Sequence, residues 1–320
     1  SPRNEVARFI LSDLDKAAAL LAGKDMQKTR INRDVVLLLK SRVALYEGTW
    51  LKYFKGTAFV PNGEGWPGKS KEYNANYQYP SGSIDNEKDL GYFYTDDELA
   101  IVEDLVQVNR WIGKKYKGMP IYLFSHSMGT LVARVFLQKY DKNVDKVVLC
   151  GPPTENKNID LGIILAKVNS KIFGSHHRSR FLQSMTFRGY KVFDNVENDW
   201  ICSNKDIVNK YNSDPLCNYR FTTNGFLNLY GLMKKAFMKE RYLCKNPDLP
   251  ILLIGGKDDP VIQNEKKFTE IKQFLESVGY KYIYSRLYDD KRHELINEVE
   301  KELIWIDILR FFEHSLYYTS

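Results

Sequence analysis

Along the first third of the chain, apolar residues recur at helical spacing. Val6, Phe9, Ile10, Leu14, Ala17, Ala18 and Leu21 predict one amphipathic helix. Gly23, able to take left-handed backbone angles, marks its stop. A second helix is predicted from a cap near Asn32 through Val35, Val36, Leu39, Val43, Tyr46, Trp50 and Phe54, giving a helical hairpin. From Gly56 to Glu87 the apolar period disappears and Gly, Pro, Asn, Ser and Tyr dominate. A loop that long inside a compact domain is uncommon and marks either a functional segment or a boundary.

After Lys88 the pattern changes to alternating helix and strand. Thr95-Asp96-Asp97-Glu98 reads as a capping box, and Leu99, Val102, Leu105, Val106, Val108 and Ile112 give the helix behind it an apolar side. Short apolar runs follow at Ile121 to Phe124, Val147 to Leu149, Ile251 to Ile254 and Tyr282 to Leu287. Bounded by turn residues and separated by helical stretches, such runs predict buried parallel strands of an α/β sheet. Residues 155 to 248 interrupt the alternation with mixed helical signals and many aromatics, and are expected to form an inserted helical cap. The domain reading is therefore a helical hairpin plus long loop over 1–87, then an α/β domain over 88–320.

Composition narrows the classes. With 43% apolar and 27% charged residues over 320 positions, the chain can bury a core. No apolar run approaches the roughly eighteen residues of a spanning helix, and the first residues lack a signal pattern, so a cytoplasmic location is expected. Cys150, Cys202, Cys217 and Cys244 form no Cys-x-x-Cys pair, and no His, Asp or Glu cluster has ligand spacing. Neither a zinc site nor a dense disulfide framework is indicated, and metal binding is disfavoured. The net charge is +7, yet basic residues never run longer than two, which argues against nucleic acid as a partner. Residues 155–248 hold 15 Lys and Arg against 9 Asp and Glu. That excess reads either as a solvated surface or as a face for anionic lipid headgroups or substrates.

One motif carries chemistry. Ser125-His126-Ser127-Met128-Gly129 follows a predicted strand and opens a predicted helix, Thr130 to Tyr140, the context a nucleophile elbow requires. Ser127 would project from the sheet edge, small flanking residues would avoid clashes, and the Met128 amide would point toward a developing oxyanion. Ser125 occupies the position where the usual pattern has glycine. A serine nucleophile needs a base, and the base an orienting acid. Asp259 lies after the strand ending at Ile254, and His293 after the strand ending near Leu287. Of the adjacent carboxylates, Asp259 is read as the acid and Asp258 as its turn-forming neighbour. Among the other histidines, His126 is assigned to packing, while His176, His177 and His314 lack strand-end placement. The order Ser, Asp, His is that of α/β-hydrolases.

From about Lys88 to His314 these segments, with Gly256-Lys257-Asp258-Asp259-Pro260-Val261 and Arg292-His293-Glu294-Leu295-Ile296-Asn297-Glu298, resemble the lysophospholipase and monoglyceride-lipase-like branch of the α/β-hydrolases. The resemblance implies Ser127 as nucleophile, Asp259 as acid and His293 as base. It also implies cleavage of glycerol or lysophospholipid acyl esters through an acyl-enzyme, with no cofactor, beneath a lid formed by the cap. The partner so implied is a small amphiphilic acyl ester, with peripheral contact to an anionic lipid surface. Members of that branch carry further strands before the equivalent of Lys88 and a His-Gly turn whose neighbouring amide completes the oxyanion hole. This sequence contains no His-Gly pair, so the fold expected is a truncated α/β-hydrolase sheet, with the second oxyanion donor unassigned.

Residues 1–87 instead resemble part of the helical scaffold of SusD-like outer-membrane glycan-binding proteins, in Asp13-Leu14-Asp15-Lys16-Ala17, Leu39 to Trp50 and Gly65-Trp66-Pro67-Gly68-Lys69. The junction near Glu87 then reads as a join between unrelated families. Two functions follow as expectations. The first is a serine ester hydrolase slowed by the missing donor; the alternative is a non-catalytic binding or scaffold protein whose helical segment recruits a partner and whose hydrolase part is a relic.

Overall fold

The computed structural model describes residues 3–21, 36, 39, 40, 43, 90–93, 95–190, 193, 196–214 and 216–313. Contacts divide the chain into two compact units, Ser1–Asp89 and Leu90–Ser320. In the first unit helix α1 spans Arg3–Leu20 and buries Ala7, Leu11 and Ala18, the spacing of a single helical stripe. Lys40 Nζ donates to Asp15 Oδ1 at 2.5 Å, and residues 36, 39, 40 and 43 are helical. The expected stop at Gly23, the cap at Asn32 and the loop over 56–87 lie outside the described residues.

The second unit holds a four-stranded parallel sheet in the order β1 (Tyr122–His126), β2 (Lys146–Cys150), β3 (Ile251–Gly256), β4 (Ile283–Tyr288). Each strand falls on one of the predicted apolar runs. Strands β2 and β3 are buried at every position because helices cover both faces. Val147, Leu149, Ile251 and Leu253 point to one side, where they pack with α2 (Ala100–Lys115), α3 (Met128–Tyr140) and α8 (Glu265–Ser277). Val148, Cys150, Leu252 and Ile254 point to the other, against Ile304, Ile308 and Phe311 of α9 (Lys301–Glu313). This period of two, apolar on both faces, is what a doubly covered parallel strand demands. Strand β1 is an edge of this sheet and pairs with β2 alone among the described residues.

Between β2 and β3 lie α4 (Ile159–Phe173), α5 (Arg180–Phe187), α6 (Lys205–Ser213) and α7 (Thr223–Ala236). They form the helical insertion expected at 155–248. Phe226, Tyr230, Leu182 and Ala166 give the insertion its own small core. Asn and Ser/Thr caps fix its helix starts: Ser179, Asn204 and Thr222 each accept from a backbone N–H in the first turn of α5, α6 and α7.

The capping box at Thr95 does not form. Helix α2 begins at Ala100, the Asp97 carboxylate accepts from Leu99 N–H at 3.0 Å, and Glu98 pairs with Lys235 of α7. A tertiary ion pair has drawn away the carboxylate that a local box would use.

Candidate active site

The tight turn from β1 into α3 places Ser127 at φ 53° and ψ −126°, a backbone conformation costly for any residue with a β-carbon. Surrounding bonds hold it there. Ser127 N–H donates to Cys150 O at 3.0 Å, Thr130 N–H donates to Ser127 O at 2.9 Å, and the Thr130 hydroxyl donates to the same oxygen at 2.7 Å. Met128 is the first residue of α3, so its amide belongs to the set of helix N–H groups with no partner four residues back.

Ser125 suits this turn for a reason invisible in the pattern. Its hydroxyl donates to Val148 O at 3.0 Å, tying the elbow to β2. Smallness at Gly129, by contrast, is not a steric requirement here. A β-carbon on Gly129 would lie 4.0 Å from Ser125 Cβ, an ordinary contact.

Asp259 and His293 come together at the same edge of the sheet. Asp259 Oδ2 accepts from His293 Nδ1 at 2.9 Å, with both residues buried. The second oxygen, Asp259 Oδ1, accepts from Val261 N–H at 2.8 Å. A carboxylate fixed at both oxygens holds the imidazole with Nδ1 protonated and Nε2 open to accept. Asp258 takes another job: its N–H donates to Lys291 O at 3.0 Å, joining the two loops. Ser127 Oγ makes no hydrogen bond to either residue.

Three groups that sequence reasoning missed or undervalued build this arrangement. Gly151 follows β2 at φ 55°, and a β-carbon there would meet His293 Nδ1 at 3.0 Å and Asp259 Oδ2 at 3.3 Å. Gly256 ends β3, where a β-carbon would collide with the carbonyl oxygens of Lys291 and Arg292. His126, assigned to packing from its position, has its ring centroid 4.6 Å from that of His293, and its Nε2–H donates to His293 O at 3.1 Å. Burial, followed by the neighbouring imidazole, lowers the His126 pKa to about 4, so it stands neutral beside His293.

The cap packs against the loop that carries His293. Arg292 Nη1 donates to Asp199 O at 2.6 Å and Cys202 O at 3.1 Å, and its guanidinium lies 4.0 Å from the Phe193 ring centroid. Glu294 N–H donates to Ile201 O at 2.7 Å. These bonds set the Trp200 ring 5.4 Å from the His293 ring. A cavity of about 720 Å³ opens beside Ser127 and Met128, walled by Leu161, Phe187, Tyr190 and Trp200. Among the described residues no three His, Cys, Asp or Glu side chains gather as metal ligands.

A parallel sheet with a strained serine turn and an Asp–His pair at one edge, under a helical insertion, is an α/β-hydrolase. The chain belongs to the serine aminopeptidase S33 family of hydrolases (Hydrolase_4), whose model matches residues 91–300. It is 25% identical to phospholipase YtpA of Bacillus subtilis over 203 residues, spanning 62% of this chain and 71% of that protein. Among solved structures, a thermostable carboxyl esterase from Bacillus coagulans superposes with a TM-score of 0.64 at 20% identity, covering 72% of this chain and 76% of that one. A lipase in its open form gives a TM-score of 0.59 at 18% identity, covering 68% and 74%. These two likenesses carry the fold. The likeness of residues 1–87 to a SusD-like scaffold gains no support from these relatives. No helix among the described residues is long and apolar enough to cross a membrane.

Proposed function

We propose that the protein is a serine ester hydrolase acting on lipid-like acyl esters, of the lysophospholipid or monoacylglycerol type, through an acyl-enzyme. The observation that carries the reading is the Asp259–His293 hydrogen bond of 2.9 Å at the same sheet edge as the strained Ser127 elbow. Ser127 attacks the ester carbonyl and forms the new C–O bond while His293 Nε2 takes its proton. His293 then returns that proton to the departing alkoxide. Water repeats the sequence to release the acid. Asp259 keeps His293 in the tautomer that accepts at Nε2, and the Met128 amide stabilises the oxyanion.

Ester specificity is supported by the mainly apolar and aromatic cap wall over Ser127, and by the phospholipase among the relatives. The absence of a His-Gly pair leaves the second oxyanion donor unassigned. Losing one such donor costs about a hundred- to a thousand-fold in turnover. A site with the Met128 amide as its single donor would cleave activated esters slowly and natural esters more slowly still.

A fluorophosphonate probe should label the folded protein at Ser127 and leave Ser127→Ala unlabelled. Absence of labelling in folded wild type, or preferential turnover of an aminoacyl anilide over acyl esters, would sink the reading.

A further inference from the structure

Glu298 lies five residues beyond His293 and is 1% exposed. The 3-10 turn at Leu295–Asn297 reverses the chain, which returns the Glu298 side chain to the residue preceding His293. There Oε1 accepts from Arg292 N–H at 2.7 Å. Ser203 of the cap reaches the same carboxylate: its N–H is shared between Oε1 at 3.1 Å and Oε2 at 3.2 Å, and its hydroxyl donates to Oε2. Val299 N–H completes the set at 3.3 Å from Oε2. One carboxylate therefore joins the cap to the His293 loop.

Burying a carboxylate is costly unless opposite charge or donors offset it. Among the described residues no Lys, Arg or His forms an ion pair with Glu298. The adjoining Arg292 guanidinium is committed to the carbonyls of Asp199 and Cys202. Glu298 thus depends on N–H and O–H donors alone, and Ser203 supplies two of them, its amide and its hydroxyl. His293 itself is held at three points: its Nδ1 by Asp259, its carbonyl by His126 and its ring beside Trp200. The chain entering it is held at the Arg292 amide, and Glu298 does that.

We propose that Glu298 is a positioning residue for His293 and that it transmits the seating of the cap to the imidazole. With Ser203 in place, the carboxylate is held at both oxygens and keeps the Arg292 amide where the Asp259–His293 bond forms. When residues 199–203 lift, Glu298 loses its Ser203 donors, and a buried carboxylate short of donors turns toward water. The Arg292 amide then loses its acceptor and His293 its alignment. The consequence for catalysis rests on the ester hydrolase reading; the link between cap and loop does not.

The test uses the full chain and two readouts: hydrogen exchange of the Arg292 amide, and fluorophosphonate labelling of Ser127 over a range of probe concentrations. Ser203→Ala keeps the amide donor and removes only the hydroxyl. It should speed Arg292 exchange by roughly five-fold, the scale of one lost hydrogen bond, and slow labelling at saturating probe by a similar factor with the half-saturating concentration unchanged. Glu298→Met, close in volume and without acceptor oxygens, should slow saturated labelling by about a hundred-fold. Glu298→Gln should stay within about three-fold of wild type, because its amide oxygen can take the Arg292 N–H while its NH2 donates to the Ser203 hydroxyl. Adding Ser203→Ala to Glu298→Met should change nothing further, since the hydroxyl acts only through the carboxylate. Unchanged Arg292 exchange in Ser203→Ala overturns the proposal, and does so even where Glu298→Met fails to fold. So does a rise in the half-saturating concentration with saturated labelling preserved, which marks a loosened cavity wall and no effect on His293. A wild type that is never labelled removes the hydrolase reading, and the exchange of the Arg292 amide alone then decides the coupling.

Discussion

Gly151 and His293 approach each other so closely that a β-carbon on Gly151 would lie 3.0 Å from His293 Nδ1 and 3.1 Å from Cε1. The backbone leaving β2 is thus one wall of the site: Cys150 O receives the Ser127 amide, and the next residue touches the imidazole. Gly151→Ala should shift His293 away from Asp259 and lower ester kcat/KM by about a hundred-fold, the scale set by a 1 Å displacement of a reacting group. The positive φ adds roughly 1 kcal/mol of destabilisation, readable as a lower urea midpoint. Gly129→Ala is the control. Its methyl meets only an ordinary contact, so turnover should stay within about three-fold of wild type.

The contrast between these glycines marks what the sequence can disclose. Strands β2 and β3 were legible because burial on both faces leaves uninterrupted apolar runs, the half-exposed β1 and β4 because their shorter apolar runs lie between helical stretches and turn residues, and the candidate residues Ser127, Asp259 and His293 because each follows such a run. Gly151 also follows one, yet its necessity comes from a loop far along the chain that no local pattern encodes. Glu98 shows the converse: a correct local grammar for a cap is overruled by Lys235 on α7. His126 reads as a packing residue until its bond to His293 O is visible. The anchoring role of Arg292 likewise depends on Asp199 and Cys202 in the cap.

His126 should make the fold acid-sensitive. Its pKa falls to about 4 in the folded state, below the ordinary histidine value of about 6.5, so between these limits the unfolded chain binds more protons. Stability is full above pH 6.5 and declines as pH drops toward 4, by about 3 kcal/mol at most. His126→Gln can still donate to His293 O but does not titrate. Its urea midpoint should therefore fall less steeply than that of wild type between pH 7 and 4.5, and equal slopes would refute the assignment.

Arg292 fastens the His293 loop to the cap. Arg292→Ala would leave the buried carbonyls of Asp199 and Cys202 without their charged donor, at a cost of roughly 2 kcal/mol. The loosened segment should appear as faster amide hydrogen exchange over residues 199–203, before any change in the sheet. Uniform acceleration across β2 and β3 would instead indicate global destabilisation.

Asp258 and Asp259 are adjacent carboxylates with different environments, and their asparagine variants should separate accordingly. Asp259 accepts from two donors, His293 Nδ1–H through Oδ2 and Val261 N–H through Oδ1. An asparagine has a single acceptor oxygen, so its amide NH2 must face one of these donors. The strain is relieved when His293 moves its proton to Nε2, the nitrogen that must receive the serine proton, and turnover then falls by about ten thousand-fold with little change in fold. Asp258 contributes its backbone N–H to Lys291 O, a bond that asparagine retains, and its side chain lies at the cavity wall. Asp258→Asn should change turnover by only a few-fold, through KM in preference to kcat. Fluorophosphonate labelling of Ser127 provides a second readout, because phosphonylation also requires His293 to accept the serine proton. It should slow sharply in Asp259→Asn and hardly at all in Asp258→Asn. The opposite ranking in both assays would transfer the orienting role to Asp258.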